Sequence, residues 1–204
     1  MTQNLIYNVE LASLEDSQGI YNTFKLNLFE MKNVDEISKN QKKELEQAGF
    51  LRKEVDLNYY IKLIEDPIID IYVAKKNSGE IIGFVSIFTK KYCILNVRDI
   101  TGNFSFKNNK SKDLLLNEKT EFAYLDQVSI LPEFKRKGIG TAIFQKALLK
   151  LDIPVVAFIV EKPLFNKASA YWHKYNGFKF SARNEGEYKG KSIKFQVYIH
   201  WNGK

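Results

Sequence analysis

The chain has 204 residues, of which 45% are hydrophobic, so it can bury one sizeable core and falls within the size range of a single domain. Its 31 Lys and Arg residues exceed its 24 Asp and Glu residues, which gives a formal net charge of +7. Such an excess is typical of a lysine-rich solvated surface, with a nucleic-acid-binding surface as the alternative. The longest apolar run, residues 155–160, is far too short to cross a bilayer.

The single cysteine, Cys93, excludes an intramolecular disulfide and indicates a reducing, intracellular setting. Cys93 lies in a strand-like apolar run, which is typical of a small packed residue rather than of a nucleophile. Residues 1–16 carry acids and no long apolar segment, so we expect no secretory signal there. We therefore expect a soluble, cytoplasmic protein that does not bind a membrane.

The N-terminal half of the chain predicts strands and helices that end at recognisable signals. Ser13 followed by Asp16 resembles a capping box, and Gly49 and Pro67 follow two further predicted helices. The polar loop 75–79 joins two apolar runs and predicts a hairpin. The predicted elements are strand 5–11, helix 13–31, helix 34–48, helix 56–65, strand 69–74 and strand 80–88.

Residues 98–118 are more polar than the segments on either side and include the run of Asn, Lys and Ser at 108–112. We interpret 98–118 as an insertion or a long hairpin tip that is mobile in the free protein. The preceding residues 92–97 are predicted to continue the sheet or to lead out of it.

The C-terminal half predicts two neighbouring parallel strands. An apolar strand over 122–130 ends before Pro132, which has no N–H to donate to a neighbouring strand. A helix over 137–151 crosses to strand 155–160, and such a right-handed crossover places the two strands in parallel. The remaining predicted elements are helix 167–176 and an antiparallel hairpin of strands 178–183 and 191–201. The sequence therefore predicts one α/β domain over residues 1–204, with a mixed sheet.

Residues 128–141 combine a strand, a proline turn, a basic loop and the start of a helix. The first turn of a helix leaves backbone N–H groups without partners, and the helix dipole adds positive partial charge there. Gly138 and Gly140 let an anion approach the backbone closely, and the three basic residues before Gly138 add formal charge. This order predicts a site for a phosphate-bearing ligand such as a pyrophosphate. A Walker loop would need a lysine before Thr141 and a dinucleotide fingerprint a glycine at Ile143, so neither fits.

Residues 135–140, Lys-Arg-Lys-Gly-Ile-Gly, resemble the coenzyme A loop of the GCN5-related N-acetyltransferases, the GNAT superfamily. That pattern is Arg or Gln, two residues, Gly, one residue, then Gly or Ala, and Lys135 stands at its first place. The run 166–178 resembles the second motif of the same family, in which an Asn opens a helix and Gly-Phe leads into a strand. His173 stands where a Tyr is frequent. The two motifs and the strand between them cover residues 121–180.

The resemblance implies a mixed, mostly antiparallel sheet with helices on both faces and a central parallel strand pair that is splayed to hold coenzyme A. It also implies that the pantetheine arm of acetyl-CoA pairs with the backbone of Val128 and Ile130, and that the N–H of Val128 points at the thioester oxygen. Loss of one donor aimed at a developing negative charge typically costs ~3 kcal/mol. The acetyl-CoA-binding residues that the resemblance implies are Val128, Ser129, Ile130, Lys135, Arg136, Lys137, Gly138, Ile139, Gly140, Thr141, Asn166 and Ser169.

One candidate for proton transfer is His173. Asn166, Ser169 and His173 are spaced so that they share one helix face, and all three could face the cofactor channel. Because a histidine titrates near neutral pH, His173 could give a proton to the departing thiolate. The alternative is a histidine that only forms a hydrogen bond within a partly buried helix.

The second candidate is Asp126, two residues before Val128 on the central strand, which could accept the proton of an amine. Glu121 at the start of the strand is a further candidate, and Tyr124 stands where some members of the family carry a Glu. An acid in an apolar strand is unusual, although a paired structural aspartate would explain it equally well.

Aromatic residues make up 14% of the chain, and most of them should belong to the core. An acceptor pocket or an RNA-stacking surface is the alternative. The aromatic residues that could serve either role are Tyr59, Tyr60, Phe104, Phe106, Tyr171, Trp172 and Tyr175.

The resemblance implies an acetyl-CoA-dependent N-acetyltransferase that acts on an amine of a small molecule, a peptide N-terminus or a lysine. Transfer should be direct, since no cysteine or serine is placed to form an acyl-enzyme. Acetyl-CoA and an amine-bearing acceptor are the expected ligands, no metal is expected, and a homodimer is compatible with the sequence. Two alternatives are a catalytically inactive CoA-binding sensor of the same fold and a basic nucleic-acid-binding module.

Overall fold

The computed structural model of the protein describes residues 6–30, 34–52, 54–92, 103–188 and 191–202. Its strands are β1 (Tyr7–Leu11), β2 (Ile69–Lys76), β3 (Ile81–Tyr92), β4 (Asn103–Phe106), β5 (Glu121–Ile130), β6 (Val155–Lys162), β7 (Lys179–Tyr188) and β8 (Lys191–His200). Its α-helices are α1 (Ser17–Lys25), α2 (Lys39–Ala48), α3 (Leu57–Glu65), α4 (Asn109–Leu116), α5 (Ile139–Leu148) and α6 (Lys167–Tyr175).

The strands form one sheet in the order β1-β2-β3-β5-β6-β8-β7-β4. β5 and β6 are parallel, and the other neighbouring strands are antiparallel. The predicted mixed sheet with a central parallel pair is therefore confirmed, as are the hairpins β2–β3 and β7–β8. β8 lies between β6 and β7, so the last strand of the chain is inserted into the sheet rather than added at its edge.

Helices cover both faces of the sheet. Successive residues of β2 show the division, because Tyr72 packs with α5 and α6 residues while Ile71 and Val73 pack with α1 and α3. On β6, Val155 belongs to the α5 side and Val156 packs with α4. One face therefore carries α5 and α6, and the opposite face carries α1, α3 and α4.

The three N-terminal helices begin at capping signals, and the first two are shorter than predicted. The Ser13–Asp16 capping box is present, but it opens a single 3-10 turn before α1, which ends at Lys25. A second capping box, Ser38 with Gln41, starts α2 five residues later than predicted, at Lys39. Asp56 caps α3, and this helix matches its predicted range.

The segment 98–118 was expected to be an insertion or a long hairpin tip, and the part of it that the structure describes contains regular structure rather than a long loop. Residues 103–106 form β4, and α4 begins where Asn108 accepts a hydrogen bond from the N–H of Ser111. Leu114 and Leu115 are buried against Phe122 and the C-terminal strands, and this burial holds the helix to the sheet. The polar composition of the segment did not indicate that these two leucines are buried.

Some sequence-based predictions concern residues outside the described ranges, namely Leu5, Met31, Cys93 and the run 93–97. Within the described ranges, no helix is both long enough and apolar enough to cross a membrane.

Candidate active site

The parallel strands β5 and β6 part shortly after they meet. They are paired only where 123–125 face 155–157, and each continues for five residues beyond this stretch. β5 keeps its pairing with β3 and β6 its pairing with β8, so both strands remain ordered as they separate. The gap exposes one edge of β5 and one edge of β6.

A β-bulge lies on β5 at the point where the strands part. Ile87 of β3 lies opposite Leu125, whereas its neighbour Ser86 lies opposite Gln127. The step from Leu125 to Gln127 advances two residues along β5, whereas the step between their partners advances one residue along β3. Asp126 is therefore the extra residue of the bulge.

The bulge shifts the alternation of β5 by one residue. Ala123 and Leu125 pack on the α5 side of the sheet, and so do Val128 and Ile130. In a regular strand, residues three positions apart face opposite sides. The extra residue Asp126 allows both pairs to pack against α5.

The same bulge sends two consecutive side chains toward α3. The Tyr59 hydroxyl donates a hydrogen bond to Asp126 Oδ2 at 3.2 Å, and the Tyr60 hydroxyl donates one to Gln127 Oε1 at 2.7 Å. Tyr60 and Gln127 are buried, while Tyr59 and Asp126 are half-buried at the edge of the gap. Burial, followed by the nearby charge of Asp126, raises the pKa of Tyr59 well above its usual range. Tyr59 therefore stays a hydrogen-bond donor to this carboxylate.

Two backbone N–H groups of β5 face the gap. Leu131 donates its N–H to Ile82 on the β3 side, at 2.9 Å. Because N–H directions alternate along a strand, the N–H groups of Ile130 and Val128 point to the opposite side, where β6 has moved away. An extended ligand could pair with this edge as an additional strand would.

The loop after β5 presents a row of backbone N–H groups. Arg136 has φ 61° and Gly138 has φ 79°, and Gly138 is the residue from which α5 starts. No described residue accepts a hydrogen bond from the backbone N–H groups of 136–141. A Cβ added at Gly138 would meet nothing within 4 Å, so a ligand can approach the backbone there. Loop and helix start together fit an anion such as a pyrophosphate.

The basic side chains of the loop differ in their surroundings. Lys135 is half-buried and donates from Nζ to the carbonyl of Ala48 at 3.0 Å, where α2 ends, and burial lowers its pKa. Arg136 and Lys137 are exposed, and the Lys137 ammonium lies 5.1 Å from the centre of the Phe134 ring. Arg136 and Lys137 therefore supply accessible charge, and Lys135 ties the loop to α2.

Ser129, Ile139 and Thr141, which the resemblance assigns to acetyl-CoA binding, are buried or half-buried. Ser129 is buried on the α1 side, where its hydroxyl donates to the Thr23 carbonyl and accepts from Asn27 Nδ2. Ile139 is buried and Thr141 is half-buried in the first turn of α5. The backbone N–H of Ser129 points to β3, as that of Leu131 does, so Ser129 offers neither its hydroxyl nor its N–H to a ligand in the gap.

Asn166 and Ser169 lie at the start of α6. Asn166 Oδ1 accepts from the N–H of Ser169 at 3.2 Å, and its Nδ2 donates to the Phe50 carbonyl at 2.7 Å. Asn166 thus caps α6 and holds the segment that follows α2. Gly140 faces this region, since a Cβ there would lie 3.3 Å from Trp172 Nε1.

His173 does not face the gap, which corrects the expectation from its spacing. Its ring is 3% exposed and packs against Trp172 and Phe178, with ring centres 4.9 Å apart in both cases. Nδ1 lies 2.7 Å from the Ser169 carbonyl and donates to it. Burial lowers the pKa of His173 to about 4, so the ring is neutral near pH 7 and a poor general acid.

Half-buried aromatic rings border the gap on the face opposite α5. Phe88 and Tyr124 are cross-strand partners with ring centres 5.9 Å apart, and Tyr124 lies 6.2 Å from Phe158 of β6. Phe158 is the first residue of β6 beyond the paired stretch. We call Tyr59, Phe88, Tyr124, Asp126 and Phe158 the aromatic-carboxylate cluster. Glu121 lies at the outer end of β5, where it forms an ion pair with Lys90.

A parallel strand pair that parts beside an uncapped, glycine-containing helix start is characteristic of the GNAT class of fold, and sequence comparison agrees. Residues 33–178 match the acetyltransferase (GNAT) family, which is more than half of the chain. The chain therefore belongs to the acetyltransferase (GNAT) family. A search of curated protein sequences gives no significant match.

Solved structures of acetyltransferases share the fold at low sequence identity. The ribosomal-protein-S18-alanine N-acetyltransferase from Escherichia coli has a TM-score of 0.60 at 9% identity, with 98% of this chain and 96% of that chain covered. An N-acetyltransferase from Staphylococcus aureus Mu50 has a TM-score of 0.57 at 15% identity, with coverage of 97% and 99%. Arabidopsis thaliana NAA60 in complex with acetyl-CoA has a TM-score of 0.56 at 13% identity, with coverage of 96% and 99%.

Proposed function

We propose that the protein is an acetyl-CoA-dependent N-acetyltransferase that acetylates a primary amine directly. The observation that carries this proposal is the continuity of two backbone sites, the loop 136–141 and the open edge of β5. Gly140 joins them, because a Cβ there would lie 3.6 Å from Val128 Cγ1 and 3.7 Å from Ile130 Cδ1. From Ile130 to Asp126 the open edge extends for ~13 Å at the usual rise of a strand.

The residues present fit acetyl-CoA. The N–H groups of 136–141 and the charges of Arg136 and Lys137 suit its pyrophosphate, and the N–H groups of Val128 and Ile130 suit an extended amide-containing arm. When bound, acetyl-CoA supplies an acetyl group activated as a thioester. The fold of the family and the acetyl-CoA complex of NAA60 are consistent with this ligand.

The chain offers two groups for the chemistry at the inner end of the open edge. The N–H of Val128 can donate to a carbonyl oxygen that gains negative charge, which lowers the barrier for acyl transfer. Asp126 can take a proton from an incoming ammonium, so that the amine becomes nucleophilic. Tyr59 holds the Asp126 carboxylate at the edge of the gap through its hydrogen bond.

The first test is calorimetric titration with acetyl-CoA and with CoA, comparing wild type with Gly138→Asp. We expect one-to-one binding that Gly138→Asp abolishes, because a carboxylate would occupy the place of the phosphates. Gly79 provides a matched control, since it also has a positive φ, 87°, and would also meet nothing within 4 Å. Gly79→Asp should bind like wild type. Equal affinity of wild type and Gly138→Asp would refute the loop assignment.

The second test separates catalysis from binding. Asp126→Asn should lower acetyl transfer to an amine by about 100-fold or more at neutral pH, because general-base catalysis contributes on this scale. Its acetyl-CoA affinity should match wild type, since Asp126 faces α3. Release of free thiol measures the transfer. Normal turnover in Asp126→Asn would show that this residue has only a structural role. If the wild-type protein binds acetyl-CoA but transfers the acetyl group to no amine, a sensor of the same fold is favoured.

A further inference from the structure

The indole nitrogen of Trp172 lies where the loop 136–141 and the open edge of β5 meet. We propose that Trp172 is a ligand-binding residue whose Nε1–H donates a hydrogen bond to an oxygen of acetyl-CoA, at the junction of its pyrophosphate and its extended arm. This inference rests on the proposed function. It adds one neutral side-chain donor to a binding site that otherwise consists of backbone N–H groups and two exposed cations.

Gly140 brings the indole to this junction. A Cβ added at Gly140 would lie 3.3 Å from Trp172 Nε1. The same Cβ would lie 3.6 Å from Val128 Cγ1 and 3.7 Å from Ile130 Cδ1, and these are the two residues whose N–H groups face the gap. Gly140 itself belongs to the first turn of α5, where the N–H groups suited to a pyrophosphate lie. Trp172 Nε1 therefore lies beside both parts of the proposed binding site.

The indole donor of Trp172 has no acceptor within the protein and still reaches solvent. No residue in the described part of the chain accepts a hydrogen bond from Nε1. The side chain is half-buried, but Nε1 is not one of the fully buried polar atoms without a partner, unlike Nε2 of the neighbouring His173. A tryptophan N–H that leaves bulk water usually finds an acceptor. An oxygen of the ligand would supply the acceptor that the fold does not provide.

Aromatic packing fixes the orientation of the indole. The Trp172 ring meets the Phe144 ring of α5 edge to face, with ring centres 5.5 Å apart. Trp172 thus packs on the α5 side of the sheet, away from the aromatic-carboxylate cluster. Successive residues of a helix point roughly 100° apart, so His173 meets Phe178 while Trp172 turns toward α5. The α6 residue that faces the junction is therefore 172, one position before the residue that spacing suggested.

The glycine at position 140 has a reason that is specific to this chain. The coenzyme A loop pattern accepts Gly or Ala at this place. A Cβ at 3.3 Å from Trp172 Nε1 would be closer than the usual contact distance of about 3.5 to 4.0 Å, so an alanine would push the indole away from the start of α5. Gly140 therefore leaves room for the indole at the same point where it leaves room for the ligand.

Calorimetry of Trp172→Phe tests the hydrogen bond. Phenylalanine keeps an aromatic ring against Phe144 but has no N–H, so the affinity for acetyl-CoA should fall by about tenfold. Trp201 provides the matched control, because it is the other tryptophan of the chain, is also half-buried and packs on the α4 side next to Lys110. Trp201→Phe should bind like wild type. Equal affinity of wild type and Trp172→Phe would overturn the inference.

Fluorescence tests the contact with the Trp172 side chain intact. Because the chain has two tryptophans, Trp201→Phe leaves Trp172 as its only one. Titration with acetyl-CoA should change the emission of this variant saturably, with the dissociation constant that calorimetry gives. In Trp172→Phe, where only Trp201 emits, no saturable change is expected. If the emission of Trp172 stays the same at saturating acetyl-CoA, the indole does not contact the ligand.

ADP distinguishes the two sources of the ligand oxygen, because it carries two linked phosphates without the extended arm. If Trp172→Phe weakens ADP and acetyl-CoA binding by the same factor, the acceptor is a phosphate oxygen. If it weakens only acetyl-CoA binding, the acceptor is an oxygen of the arm. Either result supports the contact, whereas unchanged binding of both ligands refutes it.

Binding by the wild-type protein separates this inference from the proposed function. If wild type binds no acetyl-CoA, both are refuted. If wild type binds acetyl-CoA and acetylates an amine, but Trp172→Phe has the same affinity, only the inference about Trp172 fails. The inference also requires that Trp172→Phe reach the turnover of wild type at saturating acetyl-CoA, because the indole is assigned to binding and not to the chemical step.

Discussion

The helices that follow the two parted strands use their N-termini in opposite ways. α5 starts at Gly138, and no described side chain accepts from its first N–H groups. α6 starts at Asn166, whose side chain accepts from Ser169 and donates to Phe50. The first N–H groups of α5 are available to the proposed ligand, whereas α6 uses its polar groups to hold the fold together. At these N-termini, the second motif of this chain therefore serves the structure, while the first serves binding under the proposed function.

The largest expected effect concerns the structural helix and pH. The pKa of His173 falls from 6.5 to about 4 on folding, so the folded state must bury a neutral ring. Its contribution is fully present above pH 6.5, decreases as the pH falls and is lost near pH 4, a change of about 3 kcal/mol in the free energy of unfolding. Urea unfolding between pH 7.5 and 4 measures this change.

The histidine effect has to be separated from that of carboxylates. Asp16 and Glu161 have lowered pKa values and also lose stabilisation in acid. His173→Gln removes only the ring titration, so the difference between wild type and this variant isolates it. If the free energy of unfolding depends on pH in the same way in both proteins, His173 is not a buried neutral ring. If His173→Gln has reduced turnover at neutral pH with unchanged acetyl-CoA affinity, His173 has a catalytic role.

The next effect concerns the cap of α6. Asn166→Ala removes the cap and leaves the buried Phe50 carbonyl without its donor, so the free energy of unfolding should fall by about 2 to 3 kcal/mol. Asn166→Asp keeps the acceptor for Ser169 but loses the donor to Phe50, and its loss should be smaller. Acetyl-CoA affinity measured at low temperature should change little. A large loss of affinity in both variants would make Asn166 a ligand-binding residue after all.

The smallest expected effect is at the start of α5. Gly138→Asp places an L-residue at a φ of 79°, which costs about 1 kcal/mol, and places a carboxylate at a helix N-terminus, which recovers a similar amount. The free energy of unfolding should therefore stay within about 1 kcal/mol of wild type while acetyl-CoA binding is lost. Thermal unfolding without ligand measures the first quantity. A strongly destabilised variant would mean that the loop also serves the fold.

The backbone groups of the candidate site could be predicted from the sequence, because the spacing of glycines indicates the local backbone geometry. Gly138 and Gly140 lie where the motif predicted, and the parallel pairing of β5 and β6 followed from the crossover between them. The side-chain contacts of the candidate site could not be predicted, because the hydrogen bond from Tyr59 to Asp126 joins residues that are 67 positions apart in the chain. One local signal was present, since the adjacent polar residues Asp126 and Gln127 interrupt the two-residue period of an apolar strand.

Spacing alone was insufficient for α6. Asn166, Ser169 and His173 do lie near one another, but spacing cannot tell which neighbour a helix face meets. In the structure the face meets Phe178 and Tyr198 instead of the gap. His173 is a poor general acid because it is buried. Burial depends on the tertiary structure, so the spacing of residues along one helix could not reveal it.

The bulge at Asp126 lets β5 place two consecutive polar side chains on the α3 side without changing the sides of the residues around them. Removing Asp126 would restore the two-residue alternation, so Leu125 and Val128 would both still pack on the α5 side. Gln127 would remain opposite Ser86, and the N–H groups of Val128 and Ile130 would still point away from β3. Only one polar side chain would then face α3, and the hydrogen bond from Tyr59 would be lost. A one-residue change in the length of β5 can therefore add or remove this carboxylate while the rest of the strand keeps its packing.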